Sequence, residues 1–168
     1  NYVDGPMLKK GFESFVGMHP IPIVHGLSIG ELAQMINGEK WLKGSVQVDL
    51  TVIPVANWNH AIAYELPVKP SPNLPNALSI RLYPSTCLFE GTVVSLGRGT
   101  YFPFQVYGYP DAKFGDFTFN PVAIDGMSKT PPHQNQLCYG RDLRNESLNQ
   151  PFTLSYLLEA YQRSEMKE

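Results

Sequence analysis

Glycine and proline set the first limit on what this chain can fold into. The 168 residues include 14 glycines and 15 prolines, well above the combined share of roughly 12% in average usage. They run from Gly5-Pro6 to Pro151 and do not collect in one linker. Each proline removes a backbone donor and fixes φ, and each glycine weakens a helix or strand interior. Short elements joined by many shaped loops are therefore expected. With 43% hydrophobic and 12% aromatic residues, the chain still holds enough apolar material for the core of one ordinary domain.

Between the breakers, periodicity marks a few elements. In SIGELAQMINGEKWL, Ser28 and Glu31 have the spacing of a capping box, and Ile29, Leu32, Ala33 and Ile36 share one face, so the spacing predicts a helix ending at Asn37-Gly38. VQVDLTVIPV (46–55) alternates Val46, Val48, Leu50 and Val52 with Gln47, Asp49 and Thr51, the pattern of a strand buried on one face. KPSPNLPNALSIRLYP (69–84) places Pro75 as a first helical residue, with Pro84 closing a short helix. Leu88-Phe89 and 102–107 read as strands flanking a glycine-rich loop, and 116–124 as a further strand through Phe117 and Phe119. From Pro151, the residues Leu154, Leu157, Leu158 and Tyr161 fall at helical spacing, predicting a final amphipathic helix against the sheet. There is no internal repeat, and the class is α+β, or mixed α/β.

Charge and composition narrow the function. Thirteen Lys and Arg against 15 Asp and Glu leave a formal net charge of −2, with no basic run to meet phosphates, which argues against a nucleic-acid partner. No apolar stretch approaches the roughly 18 residues of a membrane span. The N-terminus NYVDGPMLKK carries neither an initiator Met nor a signal-peptide core, so a mature or truncated product is expected. Cys87 and Cys138 lack the paired spacing of a zinc site, and His19, His25, His60 and His133 are scattered, so no metal site is expected. GxSxG, P-loop and GxGxxG patterns are absent.

Three side chains remain as candidates for chemistry. Glu90, in CLFEGTVVSLGRGTYFPFQ (87–105), stands between an apolar pair and a glycine turn, an address for a catalytic carboxylate or for an ion pair with Arg98. Arg98, flanked by two glycines, can offer its forked donors to a carboxylate ligand or form a structural salt bridge. His25, just ahead of the first predicted helix, is either a ligand contact or a packed ring bonded to backbone. Trp58, Phe102, Phe104 and Tyr107 are sugar-stacking candidates or core.

The segments DGPML, SFVGMHPIPIVHGLSIGELA, KPSPNLP, CLFEGTVVSLGRGTYFPFQ and CYGRDLR, in this order, closely resemble the NamZ family of exo-β-N-acetylmuramidases, bacterial peptidoglycan hexosaminidases. The resemblance covers nearly the whole chain. It implies the tail of a Rossmann-like N-terminal domain over residues 1–45 and a compact C-terminal domain with a mixed sheet and flanking helices over 46–168. Most of the Rossmann-like domain would lie outside the chain as a partner, and the cleft between the domains would hold the substrate. It implies hydrolysis of terminal, non-reducing N-acetylmuramic acid from peptidoglycan fragments, in the periplasm or cell envelope and without a cofactor. Glu90 would be catalytic, Arg98 would meet the lactyl carboxylate, and His25, Asn73, Thr92 and Thr100 would contact substrate. Val24, Val93 and Leu96 replace more polar residues common in the family. The alternative function is a non-catalytic cell-wall glycan-binding protein that keeps the cleft.

Overall fold

A computed structural model describes residues 2–164. It divides into two compact units, Asn1–Tyr64 and Glu65–Glu168. The division falls after residue 64 and not near 45, because residues 46–60 are tied to the helix of the first unit.

In that unit β1 (Asp4–Met7) and β2 (Pro22–Val24) pair antiparallel, with Asp4 opposite Val24 and Met7 opposite Pro22 across a bulge. Helix α1 spans Ile29–Gly38, and its start is the predicted capping box. The Glu31 amide donates to Ser28 Oγ at 3.3 Å, while the Ser28 amide donates to Glu31 Oε2 at 2.7 Å. Two orphan donors of the first turn are thereby satisfied.

The strand expected over 46–55 does not form: no residue there joins a ladder. Alternation marks a face, but a strand also needs an edge to pair with, and the neighbour of this segment is a helix. Asn37 stands in for the missing strand: its side-chain Nδ2 donates to the Val48 carbonyl at 3.0 Å and its Oδ1 accepts from the Val48 amide at 2.8 Å. Further along, Val52 packs so closely on Gly30 that a Cβ there would lie 2.5 Å from Val52 Cγ1. Val46, Val48 and Leu50 stay exposed, as does Ile29 at 89%, which the helical pattern had assigned to the apolar face.

The second unit holds helices α2 (Ala77–Thr86) and α3 (Ser155–Arg163) and a sheet ordered β3-β5-β4, from Val106–Tyr109, Cys138–Asp142 and Phe117–Phe119. Within the α+β class, this sheet is antiparallel throughout. Gly140 is opposite Gly108 in β3 and Phe117 in β4, and a Cβ on Gly140 would run into the Tyr107 carbonyl. The glycine of CYGRD is thus a condition of the three strands meeting.

Helix α2 is capped by Asn76, whose Oδ1 accepts from the Ser79 amide at 2.9 Å. Pro75 lies just before this cap, not in the first turn, and Pro84 lies inside the helix rather than closing it. The backbone then tightens into a 3-10 turn over Cys87–Gly91, replacing the strand expected at Leu88-Phe89. Two apolar residues are too few to carry a period, and the Cys87 amide still donates back to the Tyr83 carbonyl. The strand expected at 102–107 begins only at Val106.

The core joins Leu82, Phe89, Leu96, Phe104, Tyr107, Phe114, Leu143, Tyr156 and Ala160. Helix α3 enters it through Tyr156 and Ala160, one turn apart, while Leu154, Leu158 and Tyr161 of the predicted stripe face solvent. Arg141 of β5 fastens this helix, reaching Glu159 with Nη1 and Glu146 with Nη2 at 2.6 Å. The last four residues of the C-terminal segment lie outside the described residues.

Candidate functional site

The opening of the loop at 87–105 is set by one helical turn. The 3-10 turn Cys87–Gly91 directs Phe89 into the core, stacked on Tyr107 with centroids 5.1 Å apart, and turns Glu90 outward. Thr92 ends the turn: its amide and its hydroxyl both donate to the Phe89 carbonyl at 2.8 Å. Ser95 then pairs with Gly108 through two backbone bonds, at 2.8 and 2.9 Å, so the chain runs briefly beside β3. Beyond Leu96 it leaves the core, reaches Arg98 and returns at Phe104, whose amide donates to the Leu96 carbonyl at 2.7 Å.

Gly97 and Gly99 shape this excursion, with φ of +70° and +82°. A Cβ on Gly97 would lie 2.6 Å from Val106 Cγ2, and one on Gly99 would lie 2.5 Å from the Val122 carbonyl. Both glycines therefore let the loop press on the rest of the unit. Gly91, by contrast, faces open space.

Held this way, Arg98 meets Glu90 directly. Arg98 Nη2 donates to Glu90 Oε1 at 2.5 Å, and the guanidinium carbon sits 4.9 Å above the Phe104 ring. The hydroxyl of Tyr83, from the preceding helix, donates to Glu90 Oε2 at 3.4 Å. Burial first, and then the Glu90 charge, push the Tyr83 phenol above its ordinary range and keep it a donor. The pair is about one-third exposed, and such ion pairs contribute only about 0–1 kcal/mol to stability. A solvent-reachable carboxylate beside a partly used guanidinium can act on a bond or a water and still engage an anion.

The other expected site residues are distributed differently. Thr92 and Thr100 share the loop, but their hydroxyls serve it: Thr100 Oγ1 donates to the Gly97 carbonyl at 2.6 Å and accepts from the Phe102 amide at 3.2 Å. Asn73 sits in the turn before α2, where Nδ2 donates to the Met127 carbonyl at 3.2 Å while its buried Oδ1 has no hydrogen-bond partner. His25 belongs to the first unit, and its Nδ1 accepts from the Leu27 amide at 3.1 Å, so the neutral ring carries its proton on Nε2. Among the aromatic candidates, Phe104 and Tyr107 are core.

Sequence reasoning did not single out Tyr83, for which the signal was its position seven residues before Glu90, two helical turns along a chain that stays helical. Among the described residues, no group of three His, Cys, Asp or Glu is arranged to hold a metal ion. Both Cys87 and Cys138 are free thiols.

The second unit is thus a small α+β domain carrying a partly exposed Glu90–Arg98 pair on a glycine-shaped loop. Two family models match the chain: Exo-beta-N-acetylmuramidase NamZ, N-terminal, over residues 1–78, and Exo-beta-N-acetylmuramidase NamZ, C-terminal, over 81–168. The chain belongs to the NamZ family of exo-β-N-acetylmuramidases. It is 41% identical over 157 residues to the peptidoglycan beta-N-acetylmuramidase NamZ of Bacillus subtilis, covering 85% of this chain and 37% of that protein. A crystal structure of a DUF1343 family protein from Bacteroides fragilis superposes with a TM-score of 0.93 at 53% identity, over 98% of this chain and 48% of the other. A second protein of that description from the same organism, at 22% identity, shares the fold with a TM-score of 0.74, over 96% of this chain and 45% of its own. The chain spans less than half the length of each of these relatives.

Proposed function

We propose that this chain is part of a glycoside hydrolase that releases terminal, non-reducing N-acetylmuramic acid from peptidoglycan fragments. The observation that carries the reading is the Glu90–Arg98 pair, exposed on its loop in a chain of this family. In the reaction, water adds to the anomeric carbon, the bond from that carbon to the bridging oxygen breaks, and the leaving sugar takes up a proton on that oxygen. Glu90 acts on the glycosidic bond or the attacking water. Such chemistry also uses a second carboxylate, for which this chain offers no assigned residue.

Arg98 takes the lactyl carboxylate of the muramic acid ring. Only Nη2 is used by Glu90, which leaves Nε and Nη1 for a second anion. The guanidinium would then separate two carboxylates that otherwise repel. Residues 1–45, within the first unit, are read as the end of a Rossmann-like domain whose remainder would complete the cleft, since the relatives are at least twice as long and none of the described residues 2–64 is buried. Because the substrate is cell-wall material, the periplasm or cell envelope is the proposed site of action and cell-wall recycling the proposed role.

The test uses the full-length protein carrying this chain and chromogenic glycosides of N-acetylmuramic acid and N-acetylglucosamine. Glu90→Gln should remove kcat with little change in binding. Arg98→Ala should weaken binding of the muramic acid glycoside, and much less that of the analogue without the lactyl group. If Arg98→Ala impairs both equally and lowers the melting temperature, Arg98 is a structural partner of Glu90 and the assignment fails. Binding of the glycoside with no release by the unaltered protein would favour the glycan-binding alternative.

A further inference from the structure

We infer that Tyr83 is a positioning residue for Glu90, a step that rests on reading Glu90 as the carboxylate acting at the glycosidic bond. Both oxygens of that carboxylate are engaged, and from different elements: Arg98, on the loop, reaches Oε1 at 2.5 Å, while Tyr83, in α2, points its hydroxyl at Oε2 from 3.4 Å. A carboxylate bonded at one oxygen and fenced by a hydroxyl at the other is restricted about its last torsion, which narrows the lone-pair direction it presents to whatever it acts on.

The two holding groups stand on one ring. Tyr83 meets Phe104 edge-on, with centroids 5.0 Å apart and planes at 61°, and the Arg98 guanidinium lies over the same ring at 4.9 Å. Phe104 is 1% exposed and belongs to the main core cluster. Its φ is +59°, a left-handed conformation that a bulky side chain rarely adopts. It is retained here by the bond from its amide to the Leu96 carbonyl, and backbone strain of this kind collects at functional sites. The backbone geometry turns the ring beneath both partners of Glu90, so that an exposed carboxylate is braced by a buried platform.

The Tyr83 contact is long for an O–H···O bond. It limits where Oε2 can go more than it binds it, and catalytic contacts that are long without substrate commonly tighten in the substrate complex. Burial and then the Glu90 charge raise the phenol above its ordinary range, which favours its protonated, donating form. A purely structural Tyr83 would need only its ring against Phe104, and Tyr83→Phe keeps that ring while deleting the hydroxyl.

The experiment compares wild type, Tyr83→Phe and Glu90→Gln in the full-length protein carrying this chain, measuring kcat and KM on a chromogenic N-acetylmuramic acid glycoside together with the melting temperature. The expected result for Tyr83→Phe is an unchanged melting temperature, an almost unchanged KM, and a kcat lower by about 10- to 100-fold, the scale of a mispositioned reacting group. A wild-type kcat in Tyr83→Phe, with Glu90→Gln inactive, overturns this inference and leaves the reading of Glu90 standing. A raised KM at unchanged kcat also overturns it, because Tyr83 would then contact substrate without orienting the carboxylate. If Glu90→Gln keeps most of its turnover, the reading of Glu90 itself fails and the inference falls with it.

Discussion

The two units of this chain are held together in different ways. Residues 2–64 contain a capped helix, a strand pair and a stacked His19–Trp41 contact, yet not one of their side chains is buried. Residues 65–164 enclose Phe89, Phe104, Tyr107 and Leu143 at 1% exposure or less. Local hydrogen bonding can therefore specify the path of a backbone without supplying what stabilises it, since removal of apolar surface from water is the dominant favourable term in folding. In the first unit no part of this chain covers Phe15 and Val16. The first unit is ordered locally, the second by its interior.

The most severe way to break this comparison is to cut it. Residues 65–168 expressed alone should unfold cooperatively with heat, because the whole core lies inside them. Residues 1–64 expressed alone should show no cooperative transition and the narrow amide dispersion of an unfolded chain, because burial too small to offset chain entropy gives no folded state. Circular dichroism melts and proton–nitrogen spectra of both pieces decide the matter. A sharp melt for 1–64 would show that this unit has a source of stability other than burial.

Single truncations sharpen the same contrast on a smaller scale. Leu143→Ala removes a side chain with no exposure and should cost about 2–5 kcal/mol in denaturant unfolding. In the 168-residue chain by itself, Phe15→Ala deletes a larger side chain that is 96% exposed, and should change the unfolding free energy by less than about 0.5 kcal/mol. Equal losses from the two would show that Phe15 is covered in solution.

The same division explains what could be read from the sequence. The α1 capping box was legible because Ser28 and Glu31 carry the whole interaction within four residues. The strand at 46–55 was misread because its alternation is real while its partner, the side chain of Asn37, has no signature in the segment itself. On α3 the helix was legible but its buried face was not: Tyr156 and Ala160 are chosen by contacts with distant residues such as Tyr107. At the candidate site, Glu90 and Arg98 could be named from the loop composition, and their pairing was one of two readings left open. The signal for Tyr83 lay in its seven-residue spacing to Glu90, which counts only if the chain stays helical through Pro84 and Cys87. The strained Phe104 beneath them was one aromatic among many until its backbone placed it.

The smallest expected effects test the local order of the first unit. Ser28→Ala removes the acceptor of the Glu31 amide and should cost about 1 kcal/mol of helix stability, seen as faster amide exchange in the first turn of α1. Acid should act at the same place. The Glu31 carboxyl is lowered from an ordinary value of 4.5 to about 2, chiefly by its hydrogen bond to the His60 ring and then by those from Ser28. His60 Nε2 lies 2.8 and 2.9 Å from the two Glu31 oxygens, with Trp58 edge-on to the imidazole at 5.0 Å. A carboxyl whose folded value lies below its unfolded one contributes stability that is fully present above about pH 4.5 and is lost as the pH falls towards 2. The contact between the 58–60 loop and the start of α1 should therefore persist through mildly acidic solution and release only near pH 2. Carbon-detected titration of the Glu31 carboxyl should give a midpoint near 2, moving back towards 4.5 in His60→Ala. A midpoint already near the ordinary value in the unaltered protein would mean that the loop is not held on the helix in solution, and that even the local order of the first unit depends on groups outside it.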